Sequence, residues 1–197
     1  MISMQPRISA TRYAKVPLRD SVKSGALSGL VGAWAIFGMI LAVGGQLGLS
    51  PGIFYHVVGL SMGVSEEWPA IYFGFLLHMI TGAIIGIVYL VLSDNIKILR
   101  LTSTIKAFGT GVATGIGVWV VLFMPLHFFV VQPALENQLI ITESGSQLYL
   151  AFEKLILVSD SVLYGALGIH IAFGGVLGFI ARVATSAREP VDRESHE

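Results

Sequence analysis

His78 and His170 are the two residues of this chain best placed to do chemistry. Each lies inside an apolar stretch, and each stands four residues before a GxxxG: HMITGAIIG from His78 and HIAFGGVLG from His170. An imidazole surrounded by aliphatic side chains has three uses. It can ligate a metal through a ring nitrogen, carry a proton, or hydrogen-bond to a neighbouring helix. Two at matching positions add the option of a shared ligand. A Zn or Cu ion suits two imidazoles at about 2.0–2.1 Å per bond. A bridging water or proton fits as well, and a haem needs the two helices further apart. The plain alternative is a pair of neutral histidines bonded to each other or to backbone carbonyls, with a purely structural role.

The match extends beyond the histidines. Residues 72–86 (YFGFLLHMITGAIIG) align with residues 164–178 (YGALGIHIAFGGVLG), pairing Tyr72 with Tyr164, Gly82 with Gly174 and Gly86 with Gly178. Upstream, Val31-Gly32-Ala33-Trp34 aligns with Ile116-Gly117-Val118-Trp119, and Met39 with Met124. A duplicated two-helix hairpin explains both matches, and two hairpins entering from the same side are parallel repeats about an axis along the membrane normal. On this reading Gly82 and Gly86 pack against Gly174 and Gly178 in a parallel crossing of spans two and four. His78 and His170 then face each other about 9 Å further along the helices. A tight crossing leaves room for an ion more readily than for a porphyrin, so Cu or Zn ranks above haem.

The elements that must hold these residues are transmembrane helices. Apolar residues make up 54% of the 197, charged residues only 12%, and mean hydropathy is +0.79. A soluble domain carries roughly a quarter charged residues, so this chain lacks the polar surface to cover itself. Four apolar stretches reach the ~20 residues that a bilayer requires: 24–48, 70–92, 107–131 and 161–183. The expected fold is therefore an all-α integral membrane protein of four spans, arranged as two parallel-repeat hairpins over 24–92 and 107–183. A basic leader (1–23), a short loop (93–106) and a disordered tail (184–197) complete the organisation. The leader is read as a retained topology determinant, since the apolar stretch behind it is too long for a signal-peptide core.

Charge gives the orientation. Ten of the 12 lysines and arginines fall in the leader, the central loop and the tail, Arg182 stands at the end of the last span beside the tail, and only Lys154 lies in the other two loops. The positive-inside rule then puts both termini in the cytoplasm, with the protein in the cytoplasmic membrane. The loops on the opposite side hold Glu66, Glu67, Glu136, Glu143, Glu153 and Asp160. Residues 51–63 are apolar but too short to span, which suits an interfacial or re-entrant segment. The second outer loop is expected to begin near Pro133, with helix resuming from about Gln147 and leading into span four. His56 and His127 lie on the same side as the acidic groups and are weaker metal candidates. No pair of ligating residues shows the i, i+3 or i, i+4 spacing of a helix-borne site. Trp34 and Trp119 are expected to be packing residues.

Without cysteine, no disulfide, thiolate site or iron–sulfur cluster can come from this chain. HExxH, GxSxG, Walker and DxD patterns are also missing, so the sequence offers no catalytic residue. Nothing in it points to nucleic acid. The basic leader, the small-residue pattern of span one from Ser24-Gly25 through Gly32, the single histidine of span two and the glycine-rich last span together resemble small four-span membrane proteins of archaea and bacteria. That resemblance implies the architecture and no activity. A looser likeness, to accessory subunits of archaeal copper membrane oxygenases, rests on no motif. The first functional expectation is a structural or accessory subunit of a larger membrane complex, such as a membrane metalloenzyme, partnered by another membrane protein or by its own copies. The second is a metal- or haem-binding protein using His78 and His170. The third is a small proton, cation or solute carrier.

Overall fold

The computed structural model describes residues 16–188. The start of the leader and the end of the tail lie outside the described residues. Everything described is helix, turn or loop, with no strand. Six helices carry the fold: α1 (Leu18–Gln46), α2 (Ile53–Ser61), α3 (Glu67–Asn95), α4 (Thr104–Ile141), α5 (Gln147–Leu157) and α6 (Ser159–Ser186). α1, α3, α4 and α6 are long and apolar enough to cross a membrane. We call the end of the bundle holding Leu18, Asn95, Thr104 and Ser186 the near end, and the opposite one the far end.

Small residues decide which helices touch. Gly25 and Gly29 of α1 meet Gly86 and Gly82 of α3 so closely that a Cβ on Gly29 would fall on the Gly82 carbonyl oxygen. In the second hairpin Ala107, Gly111 and Gly115 of α4 meet Gly178, Gly174 and His170 of α6 in the same manner. Lipid gives helices little reason to bury apolar side chains against one another, so close backbone approach and Cα–H···O contacts hold such pairs. The two hairpins meet where α1 packs on α6: a Cβ on Gly32 would lie 3.0 Å from the Phe173 ring.

This arrangement corrects the expected crossing of spans two and four. Gly82, Gly86, Gly174 and Gly178 are packing residues, but each pair is occupied within its own hairpin, and α3 and α6 do not lie side by side. Within each hairpin the two long helices pack as antiparallel neighbours, and that contact uses up the small faces. The contacts also shift the register of the first helices. Gly29 corresponds in its contacts to Gly111, three residues out of step with the Trp34–Trp119 alignment. The two tryptophans differ accordingly. Trp34 is 60% exposed on a lipid-type face, beside Phe37 and Phe75, whereas the Trp119 indole donates to the Leu163 carbonyl at 3.0 Å.

α4 is longer than its apolar stretch suggests. Pro133 does not end it: the helix runs on to Ile141, with π-turns at Trp119–Phe123 and His127–Val131. Each π-turn lies just ahead of a proline, Pro125 and Pro133. A proline removes one i→i−4 hydrogen bond and crowds the preceding turn, and a wider turn accommodates both effects. α5 then starts at Gln147 with the Ser146 hydroxyl accepting from the Tyr149 N–H at 3.1 Å. It stops at Leu157, and α6 starts anew at Ser159, so span four is not one helix with α5.

Two apolar cores result. The near core joins Ala33, Ile36, Tyr89, Leu90, Ala107, Phe173 and Leu177. It is locked by the Tyr89 hydroxyl, which donates to the Ala107 carbonyl at 3.0 Å, and by Asp94, which accepts from Ser21 at 2.6 Å and pairs with Arg188 at 3.4 Å. The far core is a cap of α2, the end of α4 and α5, built on Leu49, Ile53, Val57, Leu135, Phe152 and Leu155. The chain reverses into α2 through Gly48 and Gly52, whose φ of +64° and +85° only glycine adopts without strain. α2 packs on α3, where Gly59 abuts Ala70 and Gly74 abuts the Tyr55 backbone, and it also reaches the far part of α4.

Candidate functional site

Between the near core and the far cap lies a cavity of about 490 Å³. Packed interiors leave few voids larger than a water, while ligand sites run from about 300 to 1,000 Å³. Its walls come from all six helices and are mostly aliphatic and aromatic. The polar exceptions are Tyr55, His78, Thr81, His127, Gln132, Ser159, Ser161 and His170, and no Lys, Arg, Asp or Glu is among the lining residues.

His78 and His170 both line this cavity, and both also line a smaller one beside Gly82 and Phe173. They are therefore wall residues of one space and not a contact between crossed helices. His78 Nε2 bonds to the Ala33 carbonyl on α1 at 3.1 Å. His170 Nδ1 bonds to the Ala166 carbonyl one turn back at 2.7 Å. A carbonyl oxygen only accepts, so each of those nitrogens carries the proton, and the neutral ring keeps an acceptor at His78 Nδ1 and at His170 Nε2. Imidazoles that serve as ligands are oriented in this way, by the bond that the other ring nitrogen makes. Aromatic rings fix both: Tyr55 lies 5.6 Å from His78, and Phe123 lies 5.2 Å from His170.

His127 lines the far part of the same cavity, where it bonds to the Ser159 hydroxyl at 3.0 Å; the Gln132 amide donates to the same hydroxyl. Ser159 thus serves His127 and not His170. His56 is not brought to the cavity. It is buried in the cap against the Phe152 ring at 6.2 Å, and burial holds its pKa below the ordinary histidine value, an effect that the Glu67 carboxylate only partly offsets. Among the described residues no three His, Cys, Asp or Glu side chains are arranged to hold a metal ion. The reason for ranking haem below an ion is also gone, because the glycine faces of α3 and α6 do not touch each other.

Tyr55, Gln132 and Ser159 were not legible as site residues. Tyr55 is 4% exposed and stands among Phe37, Phe75 and His78, with ring centroids 5.6–5.9 Å away. Its hydroxyl is buried with no hydrogen-bond partner. Burial raises the phenol pKa far above its ordinary value, so the group is a neutral donor. The short apolar segment PGIFYHVVG was the available signal, since an amphipathic plug places its polar tips inward. Comparison with known proteins yields no matching family model, no similar curated protein and no similar solved structure.

Proposed function

We propose that this chain is a membrane-embedded binding protein whose cavity takes up a small, largely apolar molecule, with His78 and His170 as polar contacts. The cavity itself carries the reading: it is of ligand size, walled by apolar groups, and holds two imidazoles that each present an acceptor nitrogen. A binding role joins the second and third expectations, since a cofactor, a stored lipophile and a carried solute would all occupy this space. Purified protein extracted with organic solvent should release a stoichiometric small molecule detectable by mass spectrometry. An extract that matches empty lipid particles counts against the reading.

The protein lies in the cytoplasmic membrane with its near end inside, as its basic residues favour, and its hairpins are copies of one ancestral unit. A partner in the membrane is the second reading, and one observation favours it. Gly109, Ala113 and Gly117 form an exposed small-residue row on α4, and a Cβ on either glycine would meet nothing within 4 Å. Such rows let a further helix approach closely. The chain has no cysteine, so single replacements report cleanly on both proposals. A cysteine at Thr102 should react with an impermeant maleimide only from the cytoplasm, one at Gly145 only from outside, and one at Gly117 should cross-link to a second chain. Reversed labelling would overturn the orientation, and failure to cross-link would count against a partner on this face.

A further inference from the structure

The one buried side-chain polar atom left without a partner among the described residues is the Tyr55 hydroxyl, and Tyr55 belongs to the cavity wall. A buried hydroxyl with no partner is destabilising, and such groups are rare in folded chains. The His78 ring is 5.6 Å away, centroid to centroid, yet the phenol does not bond to it. His78 in turn spends its proton on the Ala33 carbonyl and leaves Nδ1 as an acceptor. Two neighbouring rings of the cavity wall thus carry a donor and an acceptor, each unused by the protein.

What satisfies both is a group that accepts from the phenol and donates to the imidazole. A hydroxyl does this with one atom. A bare carbonyl answers only the phenol, and an ammonium only the imidazole. Charge is decided separately. The lining holds no Lys, Arg, Asp or Glu, so an ionised head would lie unpaired among apolar groups, at a cost of several kcal/mol. Most of the remaining wall, with Ile36, Ile40, Val118 and Leu122 among its members, is hydrocarbon and suits an apolar body.

We propose that the occupant is an uncharged amphiphile, a lipophilic alcohol or phenol, whose hydroxyl is held between Tyr55 and His78 while its apolar body lies along α1 and α4. The proposal rests on the binding reading above and adds the chemical class of the ligand. α2 then has a specific task. It carries Tyr55 to the cavity wall, beside Phe37 of α1 and Phe75 and His78 of α3, where Gly74 lets the Tyr55 backbone come against α3.

The test uses two probes that differ by one hydroxyl, 4-hexylphenol and hexylbenzene. Each is titrated into the full chain in lipid nanodiscs, with empty nanodiscs subtracted to correct for partitioning. Wild type should bind 4-hexylphenol about tenfold more tightly than hexylbenzene, the factor that about 1.4 kcal/mol of hydrogen bonding gives. Tyr55→Phe should bind hexylbenzene as wild type does and lose the preference. Because the hydroxyl has no partner in the empty protein, Tyr55→Phe should melt no lower than wild type. Equal affinity of wild type for the two probes overturns the head-group assignment and leaves the binding cavity standing. Failure of both probes to bind overturns the cavity reading and this inference with it. A lower melting temperature for ligand-free Tyr55→Phe would show that the hydroxyl already has a partner, and the proposal would fall.

Discussion

His56 holds an ionisable ring in the driest part of the far cap, 2% exposed and against Phe152. Burial lowers its pKa from the ordinary 6.5. As pH falls through about 6.5, the unfolded chain takes up a proton that the folded chain still refuses. The unfolded state then binds more protons, and stability drops until the folded pKa is passed. Thermal unfolding should therefore be flat above pH 7 and shift downward on acidification, with a smaller shift in His56→Phe. An unchanged pH profile in that variant would show that His56 is not held neutral by the cap. At this scale the sequence marked His78, His170, His127 and His56 as the groups to watch, because an imidazole in an apolar helix stands out by composition alone. It ranked His78 and His170 first by their matching positions, but it could not say what each ring faces. Whether a ring faces a cavity, as His170 does, or a core, as His56 does, depends on which helices surround it. Tyr55 escaped notice for the same reason: a tyrosine in an apolar segment looks like packing until its hydroxyl is found without a partner.

The helices show where one-dimensional reasoning holds. Helix length follows roughly from apolar run length: α3 runs three residues beyond the expected 70–92 at each end, and α1 starts six residues before 24. Pro133 misled, since a proline ends a helix only where the preceding turn cannot widen, and in α4 a π-turn absorbs it. The partner of each glycine face was also illegible, because every span carries small residues and a stripe does not say what it meets. The contacts that formed make a sharp pair of expectations. Gly29→Ala places a methyl group on the Gly82 carbonyl and should cost about 3 kcal/mol, as strong overpacking does. Gly117→Ala meets nothing and should be neutral or slightly stabilising through helix propensity. Differential scanning calorimetry of the two variants decides it. Equal melting temperatures would mean that the α1–α3 approach is looser than described.

For the whole molecule, four long apolar helices and an apolar plug were readable, whereas the cavity was not. It arises because the far parts of α3 and α4 are bridged by α2 and not by each other, while Tyr89 ties the two helices together at the near end. That splay is a product of packing, with no signature in composition or periodicity. The proposed function requires that this space bind a ligand. Gly165 lines it, and a Cβ built there meets nothing within 4 Å, so Gly165→Phe can fill the space without displacing backbone. Gly168, three residues on, is equally open but is not part of the wall. The deciding measurement is hexylbenzene binding to wild type, Gly165→Phe and Gly168→Phe in nanodiscs. Wild type and Gly168→Phe should bind it saturably, and Gly165→Phe should bind it at least tenfold more weakly. Equal binding by all three proteins, or no saturable binding by any, would contradict the proposed function.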